Sequence, residues 1–139
     1  MAILTFLDSD VLIAAHRGKP AQREPCLAIL NDSGGAFVAS SFVELETLPK
    51  AVYFQNALEI EFYRTYFDNV RIWINDVESI VRIAREESQR RGIAAMDALN
   101  VAAAYLAKAE VLYTMERREK PIYRTSLVRV VRVEPDETA

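Results

Sequence analysis

The chain alternates between short unbroken apolar runs and longer stretches with helical spacing. Ile3-Leu4-Thr5-Phe6-Leu7 has strand length and almost no polar alternation, the pattern of a strand buried on both faces of a parallel sheet. It drives into Asp8-Ser9-Asp10, where Ser9 or Asp10 can cap a helix continuing through Val11 to Ala15 and running out near Gly18 and Pro20. Pro25 sits at the first position of a second predicted helix that reaches about Asn31 and ends at Ser33-Gly34-Gly35. Ala36-Phe37-Val38-Ala39 predicts a second strand. Ser40-Ser41 then offers a cap for a helix over Phe42 to Thr47, disturbed near its end by Pro49.

Residues 53–67 hold half of the chain's phenylalanines and tyrosines. Phe54, Leu58, Phe62 and Tyr66 recur every four residues, one ridge of a helix, suited to packing on the core or to an interface between subunits. Val70 to Ile74 alternates like a short strand, and Asn75 with Glu78 resembles a capping box. The helix from Asp76 to about Arg91 should bury Val77, Ile80, Val81 and Ala84 and close at Gly92. Ala94 to Ala104 is apolar nearly all round and so predicts a buried helix. Two polar residues stand in it, Asp97 and Asn100, three apart and on one face. Val111-Leu112-Tyr113 and residues 127–133 predict the last strands. Strands alternating with helices imply a three-layer α/β/α sandwich on a mostly parallel sheet. A single domain over residues 1–134 is expected, followed by a frayed acidic tail over 135–139.

Composition narrows the class. At 139 residues, half of them hydrophobic, the chain can bury a sizeable core and is not disordered. No apolar run is long enough for a bilayer and no signal-peptide pattern opens the chain, so a cytoplasmic protein with no membrane partner is expected. The single cysteine, Cys26, excludes an internal disulfide and a thiolate-rich metal site, and reads as a small buried hydrophobe. The net charge of −3 argues against a generally basic nucleic-acid binder. Two local clusters of cations remain: Arg117, Arg118, Lys120, Arg124, Arg129 and Arg132 near the C-terminus, and Arg17, Lys19 and Arg23 after the first helix.

Candidate chemistry lies with the acids. Asp8 follows the first strand, and in open α/β sheets ligands bind at carboxyl ends of strands. Glu116 follows the fourth strand, Asp97 opens the helix before it, and Glu44 or Glu46 lies on the helix after the second strand. Parallel topology would gather these ends. Carboxylates without histidine or cysteine suit Mg²⁺ or Mn²⁺, which can activate water and stabilise charge during in-line attack on a phosphodiester. The C-terminal cations, Arg117, Arg118 and Lys120 foremost, could hold flanking phosphates. His16, the only histidine, has no clearly paired serine and is not expected to act in catalysis.

These residues carry a resemblance to the PIN-domain family, and more narrowly to VapC-type toxin ribonucleases. Leu7-Asp8-Ser9-Asp10-Val11-Leu12 resembles the family's start, Ser40 with Glu46 its serine and glutamate, Asp97-Ala98-Leu99 its Asp-Ala-Leu helix, and Thr114-Met115-Glu116 its Thr-x-Asp strand end. The resemblance implies a metal cluster of Asp8, Glu46 and Asp97 with Glu116 as a weaker fourth member, supported by Ser9 and Thr114 through hydrogen bonds. It also implies Mg²⁺- or Mn²⁺-dependent RNA cleavage, a homodimer and a small antitoxin partner. The offset from Ser40 favours Glu46 over Glu44. Asp10 is then expected to cap a helix or support its neighbours, and Asn100 to orient Asp97 or to sit as a satisfied buried amide. Glu116 departs from the family's usual Asp by one methylene. Two alternatives stay open: a PIN-like scaffold or RNA-binding module with a weakened site, and a haloacid-dehalogenase-like phosphatase with Asp8 and Asp10 as nucleophile and acid–base pair.

Overall fold

The computed structural model describes residues 2–32 and 34–138. Five strands form one fully parallel sheet: β1 (Ile3–Leu7), β2 (Gly35–Ser40), β3 (Ile72–Ile74), β4 (Val111–Thr114) and β5 (Arg129–Arg132), in the spatial order β3-β2-β1-β4-β5. β1 is therefore central, with Phe6 opposite Val38 on one side and Leu112 on the other. Its apolar run is long enough to span the sheet, and Phe6 and Leu7 are wholly buried between the helical layers.

Among the described residues six helices cover the faces: α1 (Ser9–Arg17), α2 (Pro20–Leu30), α3 (Ser41–Tyr53), α4 (Ala57–Asp68), α5 (Val77–Arg91) and α6 (Ala95–Leu106), with a 3₁₀ turn at Pro121–Arg124. α1 packs against α2, α3 and α4, and α5 packs against α6. Together with the sheet they make the expected three-layer α/β/α sandwich. Val101 to Ala104 in α6 are fully buried, as a helix that is apolar all round requires. Among the described residues no helix is long and apolar enough to cross a membrane.

Several local expectations change. The cap of α1 is Asp8 itself, whose side chain accepts the Ser9 N–H, because the strand runs extended as far as Asp8. α2 starts at Pro20, not Pro25, and Pro25 lies inside the helix. Proline at position 25 leaves no N–H to bond the Ala21 carbonyl. That carbonyl instead accepts the Asp136 N–H at 2.7 Å, which ties the C-terminal segment to α2. The predicted stop at Ser33 lies outside the described residues, while Gly35 already belongs to β2. Pro49 does not end α3, which continues to Tyr53.

Only part of the four-residue ridge is buried, Tyr66 in the core and Phe62 in part. Phe54 lies beyond α3, and Leu58 is 73% exposed, whereas Tyr63, Tyr66 and Phe67 go into the core. α5 is capped by Asp76, which accepts from Ser79 N and Oγ at 3.2 and 2.7 Å, and not by Asn75. Asn75 is engaged by the Ser41 hydroxyl. Val77 is exposed, and Glu87 takes a place on the buried face instead, receiving the Thr125 hydroxyl at 2.7 Å.

Gly92 closes α5 with φ +73, a left-handed conformation that costs a side chain strain. Gly92→Ala is expected to destabilise the protein by about 1 kcal/mol in urea melts, with the slope of the transition unchanged.

Candidate metal centre

Asp8 stands at the carboxyl end of β1, and its N–H donates to the Tyr113 carbonyl at 3.0 Å, which sets it level with the end of β4. Its carboxylate is buried and bonded on both oxygens. Oδ1 accepts the Ser9 N–H at 2.7 Å, the Ser9 hydroxyl at 3.4 Å and Asn100 Nδ2 at 3.0 Å. Oδ2 accepts the Thr114 hydroxyl at 3.0 Å. One side chain thus links β1, α1, α6 and β4. Asn100 serves Asp8 and not Asp97, and it is not a satisfied amide, because its buried Oδ1 has no partner. Thr114 Oγ1 also accepts the Glu116 N–H at 3.2 Å and so shapes the turn that carries Glu116.

Asp97, in the first turn of α6, is half-buried, and so are Glu46 on α3 and Glu116 after β4. Burial raises the Asp8 carboxyl well above the usual range. The Thr114 and Ser9 hydrogen bonds oppose this, while the Glu46 and Glu116 charges add to it. Asp97 is pushed up to about 6 by burial and by the charges of Glu116, Asp8 and Glu46, with Lys120 acting in the opposite direction. Glu46 and Glu116 thus both act on Asp8 and on Asp97 at this end of the sheet.

Asp10 also borders this centre. It is not the cap. Its Oδ1 accepts the Met115 N–H at 3.4 Å, and it is raised by burial and then by Asp8, with Glu116 and Asp97 adding. Five acids thus crowd one end of the sheet. Of the two roles expected of Asp10, helix cap or support to its neighbours, the first falls to Asp8, and Asp10 instead accepts from the turn after β4.

Other expected participants go elsewhere. Arg118 and Arg132 both pair with Glu134, and Arg117 pairs with Glu119, so acids offset much of the C-terminal cation cluster. Arg124 donates to the Arg91 carbonyl, and Arg129 is exposed on β5. Arg23 lies beside Glu24. His16 stacks near Phe62 and Tyr63, with ring centroids 5.3 and 6.5 Å away. Cys26 is buried, with its thiol 3.8 Å from the Met115 sulfur. Ser40 precedes α3 without a side-chain cap bond, and its buried hydroxyl has no partner.

The donors fit a hard divalent cation in kind. All are carboxylate oxygens, and Glu46 Oε1 is buried with no hydrogen-bond partner. As the side chains stand, no three His, Cys, Asp or Glu groups among the described residues converge tightly enough to ligate one ion together. Like charges facing one another without a counter-ion repel.

Two outcomes follow. Thr114→Val should cost about 1–3 kcal/mol in chemical denaturation, because it leaves buried Asp8 Oδ2 without its donor. The metal-free protein should be more stable near pH 5 than near pH 8. The folded-state pKa of Asp97 lies above the unfolded one, so folding is favoured as pH falls through about 6 toward 3.8, and this gain is lost as pH rises. Thermal melting in chelator across that window reads the trend, and a flat or opposite profile would show that the acids do not share a crowded site.

Solved structures of similar fold include VapBC2 from Rickettsia felis bound to a DNA fragment from its promoter. It is 17% identical, covers 94% of this chain and 98% of its own, and gives a TM-score of 0.68. A toxin–antitoxin complex from Klebsiella pneumoniae is 18% identical with the same coverage and TM-score. FitAcB from Neisseria gonorrhoeae is 17% identical, covers 93% and 97%, and gives 0.61. None of the curated proteins matches the sequence. Residues 5–125 match the PIN domain family, a stretch that takes in the end of β1, all of β2 to β4 and all four acids of the expected cluster, and the chain belongs to that family.

Proposed function

We propose that this PIN-domain protein is a Mg²⁺- or Mn²⁺-dependent endoribonuclease and the toxin of a toxin–antitoxin pair, a cytoplasmic homodimer restrained by a small antitoxin protein. The observation that supports the nuclease reading is the placement of four carboxylates toward the carboxyl end of a parallel sheet: Asp8 directly after β1, Glu116 after β4, Glu46 on α3 and Asp97 in the first turn of α6. The toxin reading is supported by the similar folds of VapBC2 and the Klebsiella pneumoniae toxin–antitoxin complex.

Asp8, Glu46 and Asp97 would hold the metal. Glu116, one methylene longer than aspartate, would reach it directly or through water. The ion, when bound, would activate a water and stabilise charge on a phosphodiester. The protein's own contribution is positional. Thr114, Ser9 and Asn100 hold Asp8 in one orientation, and Asp10, engaged with the Met115 N–H, keeps the turn after β4 against α1. Burial of Asp8 strengthens the charge interactions it makes. Lys120, whose charge acts on Asp97, would meet a phosphate of the bound strand. A phosphatase using Asp8 as nucleophile fits poorly, because both of its oxygens already accept hydrogen bonds.

Single-stranded RNA should be cut on addition of Mn²⁺ or Mg²⁺ and spared in chelator, and Asp8→Asn should remove cutting by at least about a hundredfold. A protein that cuts no member of a random-sequence RNA pool with either metal, and whose toxicity to growing cells survives Asp8→Asn, is not a nuclease of this kind. Asp97→Asn should lose metal binding and cleavage together while the metal-free protein keeps or gains thermal stability, because a crowded charge is removed. A large loss of stability in that variant would mark Asp97 as structural.

A further inference from the structure

Glu46 belongs to two places at once. It faces the acid cluster, and it also lines a cavity of about 240 Å³ between α1, α3 and the start of α4. The helical repeat explains why. On α3, Glu46 and Lys50 are four apart, and Phe54 follows four further on at the helix end, so all three fall on one stripe. On α1, Ile13 and Arg17 make the facing stripe, and all five residues line the cavity. At 1.5 Å per residue, the α3 stripe carries the cavity about 12 Å away from the acids.

The far end of this cavity carries two cations, Arg17 and Lys50, the acid Glu59 that pairs with Arg17, and the Phe54 ring. Arg17 is held at the rim by buried Glu59, whose Oε2 lies 3.8 Å from Arg17 Nη1. Glu59 is itself fixed by the Tyr63 hydroxyl at 2.6 Å and Asn56 Nδ2 at 3.0 Å. Lys50 is exposed and forms no ion pair among the described residues. Phe54 is 68% exposed and meets Tyr53 edge to face at 5.0 Å, so two aromatic rings stand in solvent at the end of α3, and Phe54 lines the cavity with Arg17 and Lys50. Cations beside exposed rings are what a single nucleic-acid strand needs, phosphates meeting the charges and unpaired bases stacking on the rings.

We propose that this cavity is a subsite for single-stranded RNA. The strand leaving the carboxylates passes Glu46, lays a phosphate between Arg17 and Lys50, and stacks a base on Phe54. The inference rests on the nuclease reading and adds to it the side by which the strand departs. Glu59 is a positioning residue for Arg17.

Binding is measured by fluorescence anisotropy of a labelled oligouridylate on protein carrying Asp97→Asn, which leaves this cavity intact, against the same protein with Lys50→Ala or Phe54→Ala. Lys50→Ala should weaken binding and reduce the slope of log affinity against log salt by about 0.7, the value for one phosphate contact on a single strand. Phe54→Ala should weaken binding about tenfold and leave that slope unchanged. Both variants, placed in the otherwise unaltered protein, should raise KM for RNA while the thermal midpoint stays put. If oligouridylate affinity and slope are the same in all variants, the strand does not pass here and the subsite is overturned. If Phe54→Ala changes the mass in solution and not RNA affinity, the rings belong to a protein interface and the subsite is likewise overturned. Metal-dependent cutting by the unaltered protein separates either failure from failure of the nuclease reading itself.

Discussion

Asp8 is the constraint on which the rest depends. A carboxylate buried at the centre of a parallel sheet is expensive unless its oxygens are bonded. This one takes hydrogen bonds from the residue that opens α1, from the middle of α6 and from the last residue of β4. These bonds fix its orientation, yet burial and the nearby acids still raise its carboxyl above the usual range. The fold therefore holds a group that is partly destabilised as an anion, in a place where a cation would relieve it. Perturbed acids clustered at one end of a sheet are a sign of a working site more often than of a structural one.

The architecture supplies the gathering. With β1 between β2 and β4, every parallel strand ends at the same edge, so Asp8, the start of α3 and the turn after β4 meet. α6 then brings Asp97 from its first turn and Asn100 from its interior to the same edge. Pro25 adds a quieter link. By leaving the Ala21 carbonyl without its helical partner, it gives the segment after β5 a place to bind at Asp136.

The alternation of strands with helices was legible in the residues, as was the central place of β1, because unbroken apolar runs and strong caps are local signals. The left-handed close at Gly92 was legible for the same reason. What was not legible depends on neighbours. Pro25 and Pro49 look like boundaries, yet tertiary packing carries both helices through them. The ridge through Phe54, Leu58, Phe62 and Tyr66 has good helical spacing, but the buried face of α4 is set by where the core lies, and Glu59 goes inside because Tyr63, Asn56 and Arg17 surround it. Within the site, the strand-end acids could be read one by one. The bond from Asn100 to Asp8 could not, since ninety-two positions separate them. The crowding of Asp10 depends in the same way on the turn after β4.

The central claim is that the acids at this edge hold a divalent cation together. Its most direct test is a crystal of the protein soaked in Mn²⁺ and measured for anomalous scattering. The account predicts a peak within coordination distance of Asp8 and Asp97, with Glu46 or Glu116 turned toward it, at about 2.0–2.4 Å from the carboxylate oxygens. Mn²⁺ bound elsewhere on the molecule, with Asp8 and Asp97 unmoved and unligated in a protein that still cuts RNA, would contradict it.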